Sequence, residues 1–311
     1  MTTLGRAVVS SADRYVVSNV DPYVESNIDH YAVLGNPVAH SQSPFIHARF
    51  AEQTGEAIGY DRLLCTAVGF EAAVREFANA GGRGCNITMP FKTQAWNLAT
   101  HVSEQAALAE ASNVLRFDQA GWFADNTDGV GLVRDIELNA KRPLAGARVL
   151  MLGAGGAAAG ALGPLLGARP AELVVANRSA AKAQALVTRH AALAASNAVN
   201  LRAAELHDCG TSGGRAFDVL INATASSLSA AAVPVSASVL RPGSLALDMA
   251  YGPSAQAFLD WALAHGAVGR DGLGMLVEQA AESFVIWRGV RPDTAPVLAA
   301  LIERVNAAAV R

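Results

Sequence analysis

Val149-Leu150-Met151-Leu152-Gly153-Ala154-Gly155-Gly156-Ala157-Ala158 runs from an apolar stretch straight into a Gly-x-Gly-x-x-Ala turn. Four consecutive apolar residues suit a strand buried on both faces, and the turn has the form that cradles a dinucleotide pyrophosphate at a strand–helix junction. Gly153 permits the sharp turn, Gly155 leaves room for phosphate against the backbone, and Ala158 lets the helix lie close to the strand. Free N–H groups and the dipole at the helix start attract the phosphates, with Ala154, Gly156 and Ala157 completing the candidate loop. An ordinary Gly-rich junction without a ligand is the alternative reading of the same letters. The next strand argues against it.

That strand, expected over Glu172–Ala176, ends in Asn177-Arg178-Ser179. A site for NAD usually places Asp or Glu roughly 20 residues past the first glycine, to hold the ribose 2′-hydroxyl. Here Arg178 instead offers a charge-assisted fork to a 2′-phosphate, with Lys182 one turn further as a second cation. NADP is therefore the expected cofactor; the competing view is an exposed helix-start arginine with no ligand. Strands at Asp218–Asn222 and Ser244–Met249 continue this block, which opens with a helix-like Asp128–Ala140 and a turn at Lys141-Arg142-Pro143.

Upstream, strand-like His30–Leu34, Ile58–Leu64 and Gly84–Thr88 alternate with helix-like Pro44–Gln53 and Phe70–Ala80. Such alternation predicts an α/β protein with mostly parallel sheets. After Gly272 the pattern is helical, and these last helices must bury an apolar face, most simply against the first block. The expected organisation is a flexible arm over 1–28, a first domain of 29–128 plus 273–311, and a Rossmann-like dinucleotide domain over 129–272. The length of 311 residues is enough for two cores.

Composition narrows the function classes. Hydrophobic residues make up 51% and charged residues 16%, which fits a compact fold rather than a disordered chain. A net charge of −3 without any Lys/Arg run argues against a nucleic-acid partner. Val149–Ala168 is uncharged and long enough to span a bilayer, but six glycines and Pro164 among weakly apolar alanines argue against a membrane segment. The start of the chain, with Arg6 and Asp13, lacks a signal-peptide pattern. Cys65, Cys85 and Cys209 are odd in number and form no Cys-x-x-Cys pair, so neither disulfides nor a metal site is expected, and a reducing cytoplasm is. His40 and His47 read as caps or packing residues rather than ligands.

Three polar segments follow or precede these elements. In Gly35-Asn-Pro-Val-Ala-His-Ser-Gln-Ser-Pro44, the hydroxyls of Ser41 and Ser43 either cap a helix or face an anion such as a carboxylate. Asn86-Ile-Thr-Met-Pro-Phe-Lys92 places an amide, the Thr88 hydroxyl and an ammonium at the carboxyl end of a strand, where open α/β sheets bind ligands. A lysine beside an apolar cofactor pocket can exchange protons near neutral pH, although a solvated surface lysine is the commoner case. In Asp125-Asn-Thr-Asp-Gly129, Thr127 or Asp128 is either a helix cap or, for Asp128, a carboxylate that orients Lys92.

Together with Asn177-Arg-Ser179, Asn222-Ala-Thr224 and Gly272-Leu-Gly-Met-Leu-Val-Glu-Gln279, these segments resemble the shikimate/quinate dehydrogenase family over about residues 30–290, and within it the NADP-dependent shikimate branch. The resemblance implies two α/β domains around a deep cleft, and reduction of 3-dehydroshikimate to shikimate by NADPH. It implies Lys92 as proton donor with Asp128 beside it, and Ser41, Ser43 and Tyr251 around the substrate carboxylate. Asn86, Thr88, Asn113, Asp128 and Gln279 would surround its hydroxyls. Asn222, Ala223 and Thr224 match the loop beside the cofactor, while Met249, Gly272 and Met275 match the nicotinamide pocket. Monomer or homodimer are both compatible. A quinate- or NAD-using relative is the nearest rival, and a catalytically silent NADP-binding protein comes after it. Ser112 and Val114 around Asn113, Ala124, and Ala225-Ser226-Ser227 depart from the family's usual residues, and altered loop shape is expected there.

Overall fold

The structure, a computed structural model, describes residues 28–210, 215–224 and 233–309. The expected arm, apart from Ile28, and the departure at Ala225-Ser226-Ser227 lie outside the described residues. The first half runs β1 (Asp29–Gly35), α1 (Ser43–Thr54), β2 (Ile58–Leu64), α2 (Phe70–Asn79), β3 (Gly82–Ile87), α3 (Lys92–Leu98), β4 (His101–Val102), α4 (Glu104–Ala109), β5 (Val114–Asp118) and β6 (Gly121–Asp125). Pro44 lies in the first turn of α1, where its missing N–H costs nothing, and Gly55 closes the helix at φ 71°. In α2, Phe70, Ala73, Val74 and Phe77 recur at helical spacing and form its buried face.

The first sheet has the order β2-β1-β3-β5-β6-β4. β1 is parallel to β2 and β3, but β5 is antiparallel to both β3 and β6. Three of the five pairings in this sheet are parallel, so the expectation of mostly parallel strands holds here too, and both antiparallel pairings involve β5, a strand the sequence reading did not place. Only Gln119 and Ala120 separate β5 from β6, and so short a connection can join only antiparallel neighbours.

The second half runs α5 (Asp128–Arg134), β7 (Arg148–Leu152), α6 (Gly156–Gly167), β8 (Glu172–Asn177), α7 (Ala180–Ser196), β9 (Asn200–Glu205), β10 (Val219–Asn222), β11 (Leu245–Asp248), α8 (Gln256–Ala264), β12 (Val268–Arg270), α9 (Leu273–Arg288) and α10 (Thr294–Ala309). α5 continues as a π-helical turn at Asp135–Asn139 rather than as the single α-helix expected to Ala140. All strands of the second sheet are parallel, in the order β12-β11-β10-β7-β8-β9. Renumbered from β7, this is the doubly wound dinucleotide-binding order, with its reversal between β7 and β10. Helices cover both faces, which is why Val149–Leu152 and Leu173–Ala176 are apolar without alternation and wholly buried.

α9 and α10 return to the first sheet's side: Leu273, Val277, Phe284, Val297 and Leu301 pack with Ile46 and Phe50 of α1. The two connecting helices, α5 and α9, touch closely, since a Cβ on Gly131 would lie 2.6 Å from the Gln279 nitrogen. Buried charge is paired beside them. Arg270 donates to both oxygens of the wholly buried Asp135, and Arg134 Nε donates to Glu278 Oε2 at 2.7 Å. All three cysteines are free and buried, and burial pushes the Cys65 thiol up to about 11. No described helix is long and apolar enough to cross a membrane.

Candidate active site

The loops after β1 and β3 are tied together: Asn36 N–H donates to the Met89 carbonyl and Thr88 N–H to that of Leu34. A Cβ on Gly35 would collide with the Thr88 methyl at 2.2 Å, so glycine is what lets the loops touch. They open, with α5 and α9, on a cleft of about 320 Å³. Ser41, Ser43, Asn86, Thr88, Lys92, Asn113 and Asp128 line it together with Met249, Tyr251, Gly272, Met275 and Gln279.

Neither serine caps α1 in the ordinary way. The N-cap is Gln42, without a side-chain bond, while Ser41 Oγ lies 3.1 Å from Ser43 Oγ and accepts from Ser43 N–H at 3.3 Å. Burial pushes the Tyr251 hydroxyl's pKa up, which keeps it a hydrogen-bond donor at neutral pH. Thr127 occupies the N-cap of α5 without a capping bond; its hydroxyl donates to the Gln279 carbonyl at 3.0 Å.

Lys92 Nζ donates to Asp128 Oδ2 at 2.5 Å, and the two side chains are 21% and 8% exposed. Asp128 Oδ1 accepts from Asn113 Nδ2 at 2.9 Å. That amide also lies within 3.0 Å of Thr127 Oγ1 and Gln279 Oε1, and its own oxygen accepts from Thr127 N–H. Two amide protons thus face three protein acceptors, so Asn113 holds Asp128 and Gln279 in place. Its neighbour Ser112, a departure from the family pattern, is equally occupied, donating to the Val114 and Asp125 carbonyls, while Ala124 is buried in the sheet. Asn86 spends both amide protons on the Asn113 carbonyl and Ser283 Oγ, and its oxygen accepts from Tyr60 at 2.7 Å. One oxygen lone pair remains for a ligand.

The other end of the cleft is built for a dinucleotide. Gly153 stands at φ 108°, and a Cβ there would meet the Ala223 carbonyl at 2.9 Å, so the turns after β7 and β10 abut at the reversal of the sheet. Gly155 and Gly156, at the start of α6, have open space where a Cβ would be, while Ala158 is wholly buried beneath them. Ala154 packs on the core and Ala157 reaches the cleft. Asn222 joins the turn, donating to Asp248 Oδ2 and accepting from Thr224 Oγ1. Arg178, Ser179 and Lys182 are exposed around the start of α7, and Asn177 donates to the Ser179 carbonyl. Among the described residues no carboxylate pairs with Arg178 or Lys182, which leaves two cations for a 2′-phosphate. Among the described residues no cluster of three or more His, Cys, Asp or Glu forms a metal site.

Sequence reasoning passed over Tyr60, Arg62 and Ser283. Ser283 lies one turn beyond Gln279 on α9, and Tyr60 and Arg62 alternate along the edge strand β2, a pattern legible only once the strand's facing is known. His47 is wholly buried, with its ring 4.2 Å from that of Tyr60 and stacked on it; burial lowers its pKa to about 3.

A glycine turn at the reversal of a doubly wound sheet, opening on a polar cleft against a second α/β unit, is the architecture of two-domain dehydrogenases that use a nicotinamide dinucleotide. Comparison with known proteins narrows the class. Residues 33–115 match the shikimate dehydrogenase substrate binding domain, 137–246 the shikimate/quinate 5-dehydrogenase family and 272–302 the shikimate 5′-dehydrogenase C-terminal domain. A shikimate dehydrogenase (NADP(+)) of Methylibium petroleiphilum is 62% identical over 277 residues, covering 87% of this chain and 93% of the relative. The crystal structure of an Ael1 enzyme from Pseudomonas putida is 47% identical with a TM-score of 0.81, covering 88% of this chain and 98% of that one. A shikimate 5-dehydrogenase of Thermus thermophilus, solved with NADP(H) and shikimate, is 30% identical with a TM-score of 0.76 over 88% of this chain and 98% of that one. The chain belongs to the shikimate dehydrogenase family.

Proposed function

We propose that the chain catalyses the reversible reduction of 3-dehydroshikimate to shikimate by NADPH, a step of chorismate and aromatic amino acid biosynthesis. The observation that carries this reading is the Lys92–Asp128 pair, held by Asn113 in a cleft that also presents two serines and Tyr251. NADP, when bound, exchanges a hydride with the carbon bearing the reacting oxygen. Lys92 gives that oxygen its proton during reduction and takes it back during oxidation, and Asp128 keeps the ammonium aimed. Ser41, Ser43 and Tyr251 donate to the carboxylate; Thr88, Gln279 and the remaining Asn86 lone pair read the hydroxyls. An analogue lacking a hydroxyl leaves these buried groups unpaired and is rejected.

In this reading residues 29–128 with 273–311 bind substrate and 129–272 bind NADP. Gly153–Ala157 hold the pyrophosphate, Arg178 and Lys182 the 2′-phosphate, and Met249, Gly272 and Met275 wall the nicotinamide. Three unpaired, buried cysteines suit a reducing cytoplasm. We assign it as a monomer or homodimer, which sedimentation would distinguish. The test of the activity is absorbance at 340 nm with shikimate or quinate offered against NADP or NAD. Shikimate with NADP should dominate the four combinations; faster turnover with quinate or NAD, or silence in all four, overturns the proposal.

A further inference from the structure

Behind the two serines stands a cation that the reaction scheme leaves without a task. Arg62, on the edge strand β2, donates from Nε and Nη2 to the Ser41 carbonyl, at 3.0 and 2.6 Å. A rigid guanidinium fork on a single carbonyl fixes the peptide that carries Ser41 and, through Ser41 Oγ, the backbone of Ser43. Among the described residues no carboxylate pairs with Arg62, so its charge is not cancelled locally. Lys92, in contrast, is neutralised by Asp128. Arg304 donates to the Gln42 side-chain oxygen and lies over the Phe45 ring. The field of Arg62 reaches the hydroxyls of both Tyr60 and Tyr251, favouring their ionised forms against burial.

We propose that Arg62 is a positioning residue for the substrate carboxylate: it pins the Ser41–Ser43 loop and supplies the positive potential that the hydroxyl donors lack. The inference rests on the reading of that loop as the carboxylate site. Serine and tyrosine hydroxyls satisfy an anion's lone pairs but leave its charge uncompensated, whereas a guanidinium behind the loop lowers the cost of drawing the carboxylate out of water. Its exposure makes the effect sensitive to salt.

The experiment compares wild type with Arg62→Gln and Arg62→Lys at saturating NADP, using shikimate and its uncharged methyl ester, each as substrate or as competitive inhibitor, at low and high salt. Arg62→Gln should raise KM for shikimate about tenfold at low salt, leave kcat within about twofold, and weaken affinity for the ester, which feels the loop but not the charge, by no more than about twofold. High salt should narrow the gap, and Arg62→Lys should restore part of it. An equal loss for shikimate and ester, or no change in KM, overturns the charge role. Wild-type silence on shikimate, seen before any variant is made, overturns the carboxylate reading and this inference with it.

Discussion

Lys92 and Asp128 are each other's nearest charge, and removing either end separates chemistry from binding. Lys92→Ala should lower kcat by about 10²- to 10⁴-fold while NADPH binding, followed by fluorescence titration, stays intact; weakened NADPH binding would instead overturn the proton-donor role. Arg178→Ala should raise KM for NADP at least about tenfold and leave KM for NAD nearly unchanged, because only the 2′-phosphate needs the fork. His47 carries a different kind of prediction. Its folded pKa of about 3 lies below the ordinary 6.5, so as pH falls the unfolded chain takes up a proton that the folded chain refuses. The corresponding stability is complete above pH 6.5 and drains away toward pH 3, and the buried His190 adds to it in the same direction. Urea titrations at pH 7 and pH 5 should show a loss for the wild type that is smaller by about 2 kcal/mol in His47→Gln.

At the scale of elements, the second sheet was legible and the first only in part. Val149–Leu152 and Leu173–Ala176 are uniform apolar runs, and a buried parallel strand requires just that. β5 and β6 escaped notice because they are short and only partly buried, Arg116 and Asp118 interrupting the apolar pattern of β5 and Gly121 and Asp125 flanking that of β6. The residues proposed for catalysis and for the carboxylate stand in motifs that are legible in the sequence, and they line one cleft. The residues that hold them were hidden by distance in sequence, Ser283 reaching Asn86 across 197 positions and Tyr60 across 26. The contact of α5 with α9 is likewise invisible in the letters, since Gly131 shows its purpose only against Gln279. Gly131→Ala forces the two helices apart against backbone atoms that cannot yield. It should cost about 1–3 kcal/mol in stability and raise KM for shikimate, because Asp128 and Gln279 ride on those helices; thermal melting and initial rates check both.

For the molecule as a whole, two sheets are joined by two helices whose buried charges, Asp135 with Arg270 and Glu278 with Arg134, are matched across the joint. Breaking one partner of such a pair costs more than the pair ever contributed, which favours a joint that keeps one arrangement on each side of the cleft. The three inward-facing thiols have a practical corollary of their own. With Cys65, Cys85 and Cys209 shielded from reagents, a maleimide spin label will find only the sulfhydryls placed for it. Val68→Cys in the first half and Leu263→Cys in the second, both at side chains open to solvent, turn the native chain into a molecular ruler without deleting a single cysteine. Pulsed dipolar spectroscopy on that doubly labelled protein should record a shorter label-to-label separation once NADP and shikimate are added together, reporting the gap's closing in ångströms.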